Sequence, residues 1–217
     1  LEFNFIYVLA SIEQKGIKID VKLLTEYKDR SLIYLNELTQ NIYEACGESF
    51  NINSPKQLGV ILFEKLELAS SKKTKTGYST DESVLESLKN EHKVVPLLLK
   101  YREAFKLHST YIEPLLELGL KDSENRVFSS FLHTGTTTGR LSSKNPNLQN
   151  IPVGAFSDIQ IRRAFIAQEG YKLVGVDYSQ IELRLLAHFS KDEALVNAFK
   201  QDLDIHLQTA IKIFGED

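Results

Sequence analysis

Leu24, Tyr27, Leu35, Leu38, Ile42 and Ala45 fall at helical spacing, and the apolar stripe they draw constrains the fold of this chain more than any other feature. A long helix of this kind is stable only when its stripe is buried against something else. Leu98, Tyr101, Phe105 and Ile112 draw a second stripe of the same period, so residues 21–118 read as helix packed on helix. Two start signals punctuate the region. Ser54-Pro55-Lys56-Gln57 offers an N-cap, a proline at the first helical position and a Gln that can reach back to the cap, which predicts a helix from there to about Leu66. Ser79-Thr80-Asp81-Glu82 repeats the pattern ahead of Val84, Leu85 and Leu88. Between the caps, at the expected tip of a helical hairpin, Lys72, Lys73 and Lys75 stand among small hydroxyl residues with no carboxylate. Such a run is most often a solvated loop, and its alternative use is contact with a phosphate backbone.

After Asn125 the texture turns to strand and loop. Residues 126–133 and 173–177 read as strands, and the long connection from 134 to 166 between them is of the length that loops reach when they carry function. Leu173, Val174 and Val176 have the apolar, β-branched character of a buried strand, while Ile181, Leu185 and His188 recur at helical spacing. Asp177 is therefore expected at a strand-to-helix junction, where a rigid base can hold a carboxylate at the mouth of a crevice. Its plainer role there is to cap the following helix. Three helical stretches are expected after Asp177, the last beginning at Asp204.

Composition sets bounds. The 217 residues, 42% of them hydrophobic, are enough for one large or two modest domains. A net charge of -3 speaks mildly against a nucleic-acid binder, but whole-chain charge averages over faces, and local clusters decide. One cysteine, Cys46, excludes an internal disulfide, and its setting near a helix end suits a buried thiol better than a nucleophile. No run of some 18 apolar residues and no signal peptide is present, so a soluble, cytoplasmic protein is expected. The lack of methionine suggests an internal piece of a longer protein. Gly135 and Gly139 enclose three residues and lead into Arg-Leu, whereas a nucleotide-binding P-loop needs four and then Lys with Ser or Thr. His92, His108, His133 and His188 lack metal-ligand spacing, which argues against zinc.

Four blocks in sequence order carry a resemblance. These are Thr134-Gly135-Thr136-Thr137-Thr138-Gly139-Arg140-Leu141-Ser142-Ser143, then Asn145-Pro146-Asn147-Leu148-Gln149-Asn150-Ile151-Pro152, then Asp177-Tyr178-Ser179-Gln180-Ile181-Glu182-Leu183-Arg184, then Asp204-Ile205-His206 with Thr209-Ala210 and Ile213-Phe214-Gly215. Together they resemble the family A DNA polymerases of the bacterial DNA polymerase I type, and Asn53 to Leu58 with Tyr101-Arg102 through Tyr111 is similar to that family's thumb. The resemblance implies an α+β fold: a lead-in over residues 1–20, a helical thumb over 21–125, part of an antiparallel palm sheet with flanking helices over 126–190, and the start of the fingers over 191–217.

It also implies roles. Asp177 and Glu182 would be the catalytic-site carboxylates, Asp177 binding both Mg²⁺ ions of a two-metal site, with the carbonyl of Tyr178 on one of them. Tyr178, Gln180, Glu182 and His206 would face the incoming deoxynucleoside triphosphate, Glu182 filling the space of a ribose 2'-hydroxyl and His206 reaching the phosphates from a helix start whose free amides favour anions. Ser54, Lys56, Lys72, Lys73, Lys75, Lys106, Ser109, Thr110, Arg140, Asn147, Gln149 and Asn150 would lie along primer-template DNA. The chain alone is expected to be inactive, because the family's second metal-binding Asp and its triphosphate-binding helix are not among these residues. A monomer without membrane association is expected, nucleoid-associated in a bacterium or organellar in a eukaryote. Two alternatives are a duplex-binding module without catalysis and a metal-dependent nuclease, the latter disfavoured because Asp177 lacks accompanying acids.

Overall fold

A computed structural model describes residues 2–69, 73–74, 77–153 and 158–215, with only the backbone of Glu2, Lys73, Thr74, Gln208 and Lys212. The chain divides into two compact units, Leu1–Lys172 and Leu173–Asp217.

In the first unit, α1 (Glu2–Lys15) leads into the short strand β1 (Ile17–Ile19) and then into the long helix α2 (Val21–Cys46). Asp20 caps α2 by accepting the Leu23 amide at 3.0 Å. Gly47 ends it in the left-handed conformation, φ 74°, with its N–H on the Tyr43 carbonyl, a termination only glycine adopts at little cost. The α3 helix (Pro55–Val60) continues without a break into a π-helical turn, Ile61–Lys65. Strands β2 (Lys73–Thr74) and β3 (Gly77–Tyr78) form a small antiparallel ladder before α4 (Glu82–Ser87). Then α5 (Val94–Leu107), a second π turn (His108–Ile112) and α6 (Glu113–Lys121) form one continuous rod.

This rod packs antiparallel to α2, and the direction follows from two cores. Leu35, Leu38, Ile42 and Cys46 at the end of α2 share a core with Val94, Leu98 and Tyr101 at the beginning of the rod. Leu24 and Tyr27 at the beginning of α2 share another with Leu107, Ile112, Leu115 and Leu116 farther along it. The second core is closed by a three-stranded antiparallel sheet in which β4 (Arg126–Val127) and β7 (Phe165–Ile166) flank β1, with Ile17 opposite Val127 and Lys18 opposite Ile166. Gly119 of α6 touches β1 so closely that an added methyl would land on Ile19 Cδ1 and Cγ1. A separate ladder joins β5 (Ser130–Leu132) to β6 (Ser142–Lys144). In the second unit, α7 (Ile181–Ser190), α8 (Glu193–Lys200) and α9 (Ile205–Phe214) follow one another, and Arg184 of α7 lies 4.5 Å over the ring of Phe199 in α8.

Several expectations need correction. Residues 173–177 do not form a strand: no described strand pairs with them, so their amides and carbonyls gain no ladder, and Val174 and Val176 are 82% and 92% exposed. The expected strand over 126–133 splits into β4 and β5, which belong to different sheets. The helix from Ser54 is α-helical only to Val60 before its π turn, and Gln57 reaches past the cap to accept the Asn51 amide at 2.8 Å. Asp81 holds the N-cap position of α4 without a capping hydrogen bond from its side chain, since its carboxylate takes the Ser79 hydroxyl. Phe105 sits on the rim, 36% exposed and stacked on Tyr101, while Ala104 takes the buried position. The lysine-rich segment includes the β2–β3 ladder rather than being loop throughout.

Between Tyr27 and Leu35 the buried face of α2 carries Ser31, and its partner is His108 of the second π turn. The Ser31 hydroxyl donates its one proton to the Lys28 carbonyl at 2.8 Å and also lies 2.8 Å from His108 Nδ1. Nδ1 must therefore be the protonated nitrogen that donates to Ser31. The other nitrogen, Nε2, faces a Glu113 oxygen at 3.9 Å, while the second Glu113 oxygen accepts from Lys28 Nζ at 3.0 Å. Burial lowers the pKa of His108 below its ordinary 6.5; Glu113 opposes this and Lys28 adds to it. The hydrogen bond and charge of Lys28 hold Glu113 below its ordinary 4.5.

A histidine whose native pKa is depressed binds fewer protons folded than unfolded, so its contribution is complete above 6.5 and is lost as pH falls from there through the lowered native value. The urea midpoint of the wild-type chain is expected to drop across that window. In His108→Gln, which keeps a donor for Ser31 but does not titrate, the drop should flatten, leaving the loss below 4.5 that belongs to Glu113. Identical pH profiles for the two proteins would show that His108 does not titrate against folding.

Candidate nucleic-acid and nucleotide sites

The β5–β6 hairpin and the segment after it carry the densest set of candidate contacts. Thr136 Oγ1 donates to the Arg140 carbonyl at 2.8 Å, closing the threonine-rich turn, with Gly139 at φ 75° just before Arg140. Arg140 is exposed. Beyond β6, residues 145–152 have no regular secondary structure, yet side chains from elsewhere hold their backbone. Ser143, only 5% exposed, accepts the amides of Leu148 (3.0 Å) and Gln149 (3.3 Å) and donates to Asn147 Oδ1 (3.2 Å), which uses all the bonding capacity of its hydroxyl. Ser129 donates to the Pro146 carbonyl at 2.7 Å. The Tyr111 hydroxyl donates to the Asn150 carbonyl at 2.6 Å, and the Arg162 guanidinium donates to the Ile151 carbonyl at 2.8 Å and to that of Pro152 at 3.2 Å.

The side chains of Asn147, Gln149 and Asn150 are left on the exposed side. Asn147 Oδ1 also accepts the Gln149 amide at 3.0 Å, so its outward offer is the amide N–H groups alone.

Lys106, Ser109 and Thr110 lie at the end of α5 and in the second π turn. Lys106 and Thr110 are exposed; Ser109 returns its hydroxyl to the Phe105 carbonyl at 2.7 Å. Tyr111 and Asn150 thus tie this turn to the loop of Asn147. Ser54, the N-cap of α3, and the exposed Lys56 share an open groove with Tyr78, Thr80 and Arg102. Arg102 donates to the carbonyl and hydroxyl of Thr80, and burial pulls its pKa down against the opposing pull of Asp81 and Glu82. Lys72, Lys75 and the side chain of Lys73 lie outside the described residues.

In the second unit Asp177 is exposed, ahead of a turn at Ser179 and Gln180. It does not cap α7: Gln180, in the left-handed conformation at φ 50°, holds that position, and no side chain caps the helix. Glu182 lies in the first turn of α7, and the residues before Ile181, Asp177 among them, are not helical. Tyr178 is 79% exposed. His206 is exposed at the second position of α9, as the Asp204 cap predicts. Its amide and that of Leu207 are already taken by Asp204 Oδ1, at 2.8 and 3.2 Å, so the expected free amides are occupied and the imidazole is what His206 has to offer.

The Asp177 carboxylate and Tyr178 carbonyl are hard oxygen donors of the kind Mg²⁺ takes, but an octahedral ion needs more, and no group of three His, Cys, Asp or Glu side chains able to hold a metal occurs among the described residues. These residues fit part of an Mg²⁺ site only.

Sequence reading missed the roles of Tyr111, Ser129, Ser143 and Arg162. All four aim polar groups at backbone, a use that residue spacing does not signal even though Tyr111 and Ser143 lie inside the blocks that carry the resemblance; the nearest clue was that residues 145–152 contain two prolines and three asparagines, a composition that builds no regular ladder.

Comparison with known proteins places the chain. The family model for DNA polymerase family A matches residues 21–217. DNA polymerase I of Caldicellulosiruptor bescii is 50% identical over 217 residues, all of this chain and 25% of that protein. DNA polymerase I of Bacillus subtilis is 50% identical over 215 residues, 99% of this chain and 24% of that one. A solved structure, the POL domain of Pol1 from M. smegmatis in complex with DNA primer-template and dNTP, aligns with a TM-score of 0.84 and 39% identity over 95% of this chain and 36% of its own. The chain spans about a quarter of the curated relatives it matches. With its four motif blocks all inside the matched residues, it belongs to DNA polymerase family A.

Proposed function

We propose that this chain is the part of a DNA-directed DNA polymerase that holds primer-template duplex and brings one catalytic carboxylate, Asp177, to the reacting nucleotide. The observation that carries the reading is the match at 50% identity, over all of this chain, to a DNA polymerase I, with the loop of Asn147, Gln149 and Asn150 held so that its side chains face outward. Arg140 and the outward N–H groups of Asn147 are donors, and the minor-groove edges of all correct base pairs present acceptors in comparable places. Donors there test pair shape without reading sequence. Gln149 and Asn150 continue that line, while Ser54, Lys56, Lys106, Thr110 and the lysines 72, 73 and 75 take phosphates, Ser109 lining the same turn and free to donate only if it gives up its bond to the Phe105 carbonyl. His206 directs its ring, and Tyr178 and Gln180 their polar groups, toward the deoxynucleoside triphosphate.

Mg²⁺ held by Asp177 and the Tyr178 carbonyl, with further ligands from the complete protein, would neutralise charge on the transferring phosphoryl group. The chain's own residues do the positioning. The organisation we propose is a lead-in (1–20), thumb (21–125), partial palm (126–190) and the start of the fingers (191–217). We further propose a monomer working on DNA in the cytoplasm; no helix among the described residues is long and apolar enough to cross a membrane. A duplex-binding module without catalysis is the second reading, favoured for the isolated chain by its incomplete ligand set.

Primer extension separates the two. In the complete protein, Asp177→Ala is expected to lower turnover by about 10³-fold or more while duplex affinity changes by less than about threefold, since phosphate contacts position the duplex. The 217-residue chain alone is expected to bind duplex without extending it. Near-normal turnover in the variant would remove Asp177 from the chemistry.

Sugar choice is assigned to Glu182. Glu182→Ala is expected to raise the ratio of ribonucleotide to deoxynucleotide kcat/KM by about tenfold or more, whatever the absolute rates, because removing an obstruction acts on the difference between substrates. An unchanged ratio would return Glu182 to an ordinary helix surface.

The lysine cluster makes a salt-dependent contribution. With Lys72, Lys73 and Lys75 all changed to Ala, the slope of log affinity against log salt should become shallower by about 0.9 for each phosphate that the variant no longer neutralises. A slope equal to that of the wild type would mark the cluster as solvated.

A further inference from the structure

Residues 145–152 lack regular secondary structure, so their order depends on ties from outside, and the ties come from four places in the fold. Ser129 holds the Pro146 carbonyl from the segment between β4 and β5; Ser143 holds two amides from within β6; Arg162 holds two carbonyls from the short helical turn Ile161–Ala164; and Tyr111 holds the Asn150 carbonyl from the second π turn. Tyr111 is unlike the others. Its ring belongs to the second core, 8% exposed, and its own turn carries Ser109 and Thr110. His108, three residues before it, is fastened to Ser31 of α2. The turn is thus fixed on one side to the longest helix and on the other to the loop.

We propose that Tyr111 is a positioning residue that joins two DNA-contacting surfaces, the π turn with Ser109 and Thr110 and the loop with Asn147, Gln149 and Asn150, into one rigid support, with Ser143 as the clasp inside the loop. The proposal rests on the duplex-binding reading above. A minor-groove contact and a backbone contact made by two independently moving segments each bear an ordering cost on binding, whereas two segments held in one frame meet the duplex already ordered. The Asn150 carbonyl is the point of attachment, because the backbone bond leaves that residue's side chain outside.

The test uses Tyr111→Phe in the complete protein, which keeps the buried ring and removes the hydroxyl. Amide exchange at Leu148 and Gln149 is expected to speed by about tenfold relative to wild type. The dissociation constant for a fluorescein-labelled primer-template duplex should rise by about three- to tenfold, the range set by one hydrogen bond, and in primer extension the loss should fall on KM for duplex rather than on kcat. Ser143→Ala, which leaves the helical rod untouched, should reproduce the faster exchange. A wild-type protein without duplex affinity overturns the functional reading. A wild type that binds, with Tyr111→Phe binding as tightly and exchanging as slowly, overturns the role of Tyr111 alone. Faster exchange spread evenly over both cores, with a matching fall in thermal midpoint, overturns it too, because that is general destabilisation.

Discussion

The first unit depends on the burial of one long helix against one long rod. The α2 helix spans both cores, and among the described residues the rod is the one element that meets its leucine and isoleucine face in each of them. Burial at roughly 25 cal/mol per Å² of apolar surface is the force that holds the pair. The polar interruption in the middle is tolerated because Ser31 bonds to the Lys28 carbonyl and to His108 Nδ1, and the Lys28 ammonium bonds to Glu113. That chain of bonds lies at the joint between the cores, and it sets where the second π turn rests on α2.

From that joint the candidate interface follows. A turn fixed to α2 carries Tyr111, which holds a loop, and the loop displays amide side chains. The first step joins two buried side chains, and the second gives a backbone carbonyl that would otherwise bond to water a specific side-chain donor. The result is a surface of donors on a chain whose net charge is -3. In the duplex-binding role proposed above, affinity for a polyanion would come from where cations and N–H groups are placed rather than from how many there are.

What sequence reading recovered, and what it did not, divides by physical cause. The helical stripes on α2 and α5, the caps at Ser54 and Asp204 and the three last helices were legible because each is a local rule of spacing or capping. Within the stripe Ser31 went unseen, since a polar residue breaks an apolar pattern even when its partner is buried with it. Residues 173–177 were misjudged because apolar, β-branched composition states a preference, while a strand exists only where neighbours complete its ladder. Neither π turn was foreseen, because an i→i+5 turn is set by packing and has no residue signature. The candidate site residues were named from motifs, while the holding roles of Tyr111 and Arg162 were not legible, as their hydrogen bonds reach across 39 and 11 positions of chain.

The second π turn has a consequence for the way this rod can change over generations. A π turn is an α-helix with one residue too many, and each residue advances a helix by about 100°. The phase of α6, and so the direction in which Leu115, Leu116 and Gly119 face, is counted from the far side of that extra residue. Losing one residue between His108 and Ile112 would turn α6 by over a quarter of a revolution, moving its apolar face off β1 while every amino acid in it stayed the same. Substitutions along the rod can accumulate one by one, but its length at this turn is a frame that tolerates no single-residue slip.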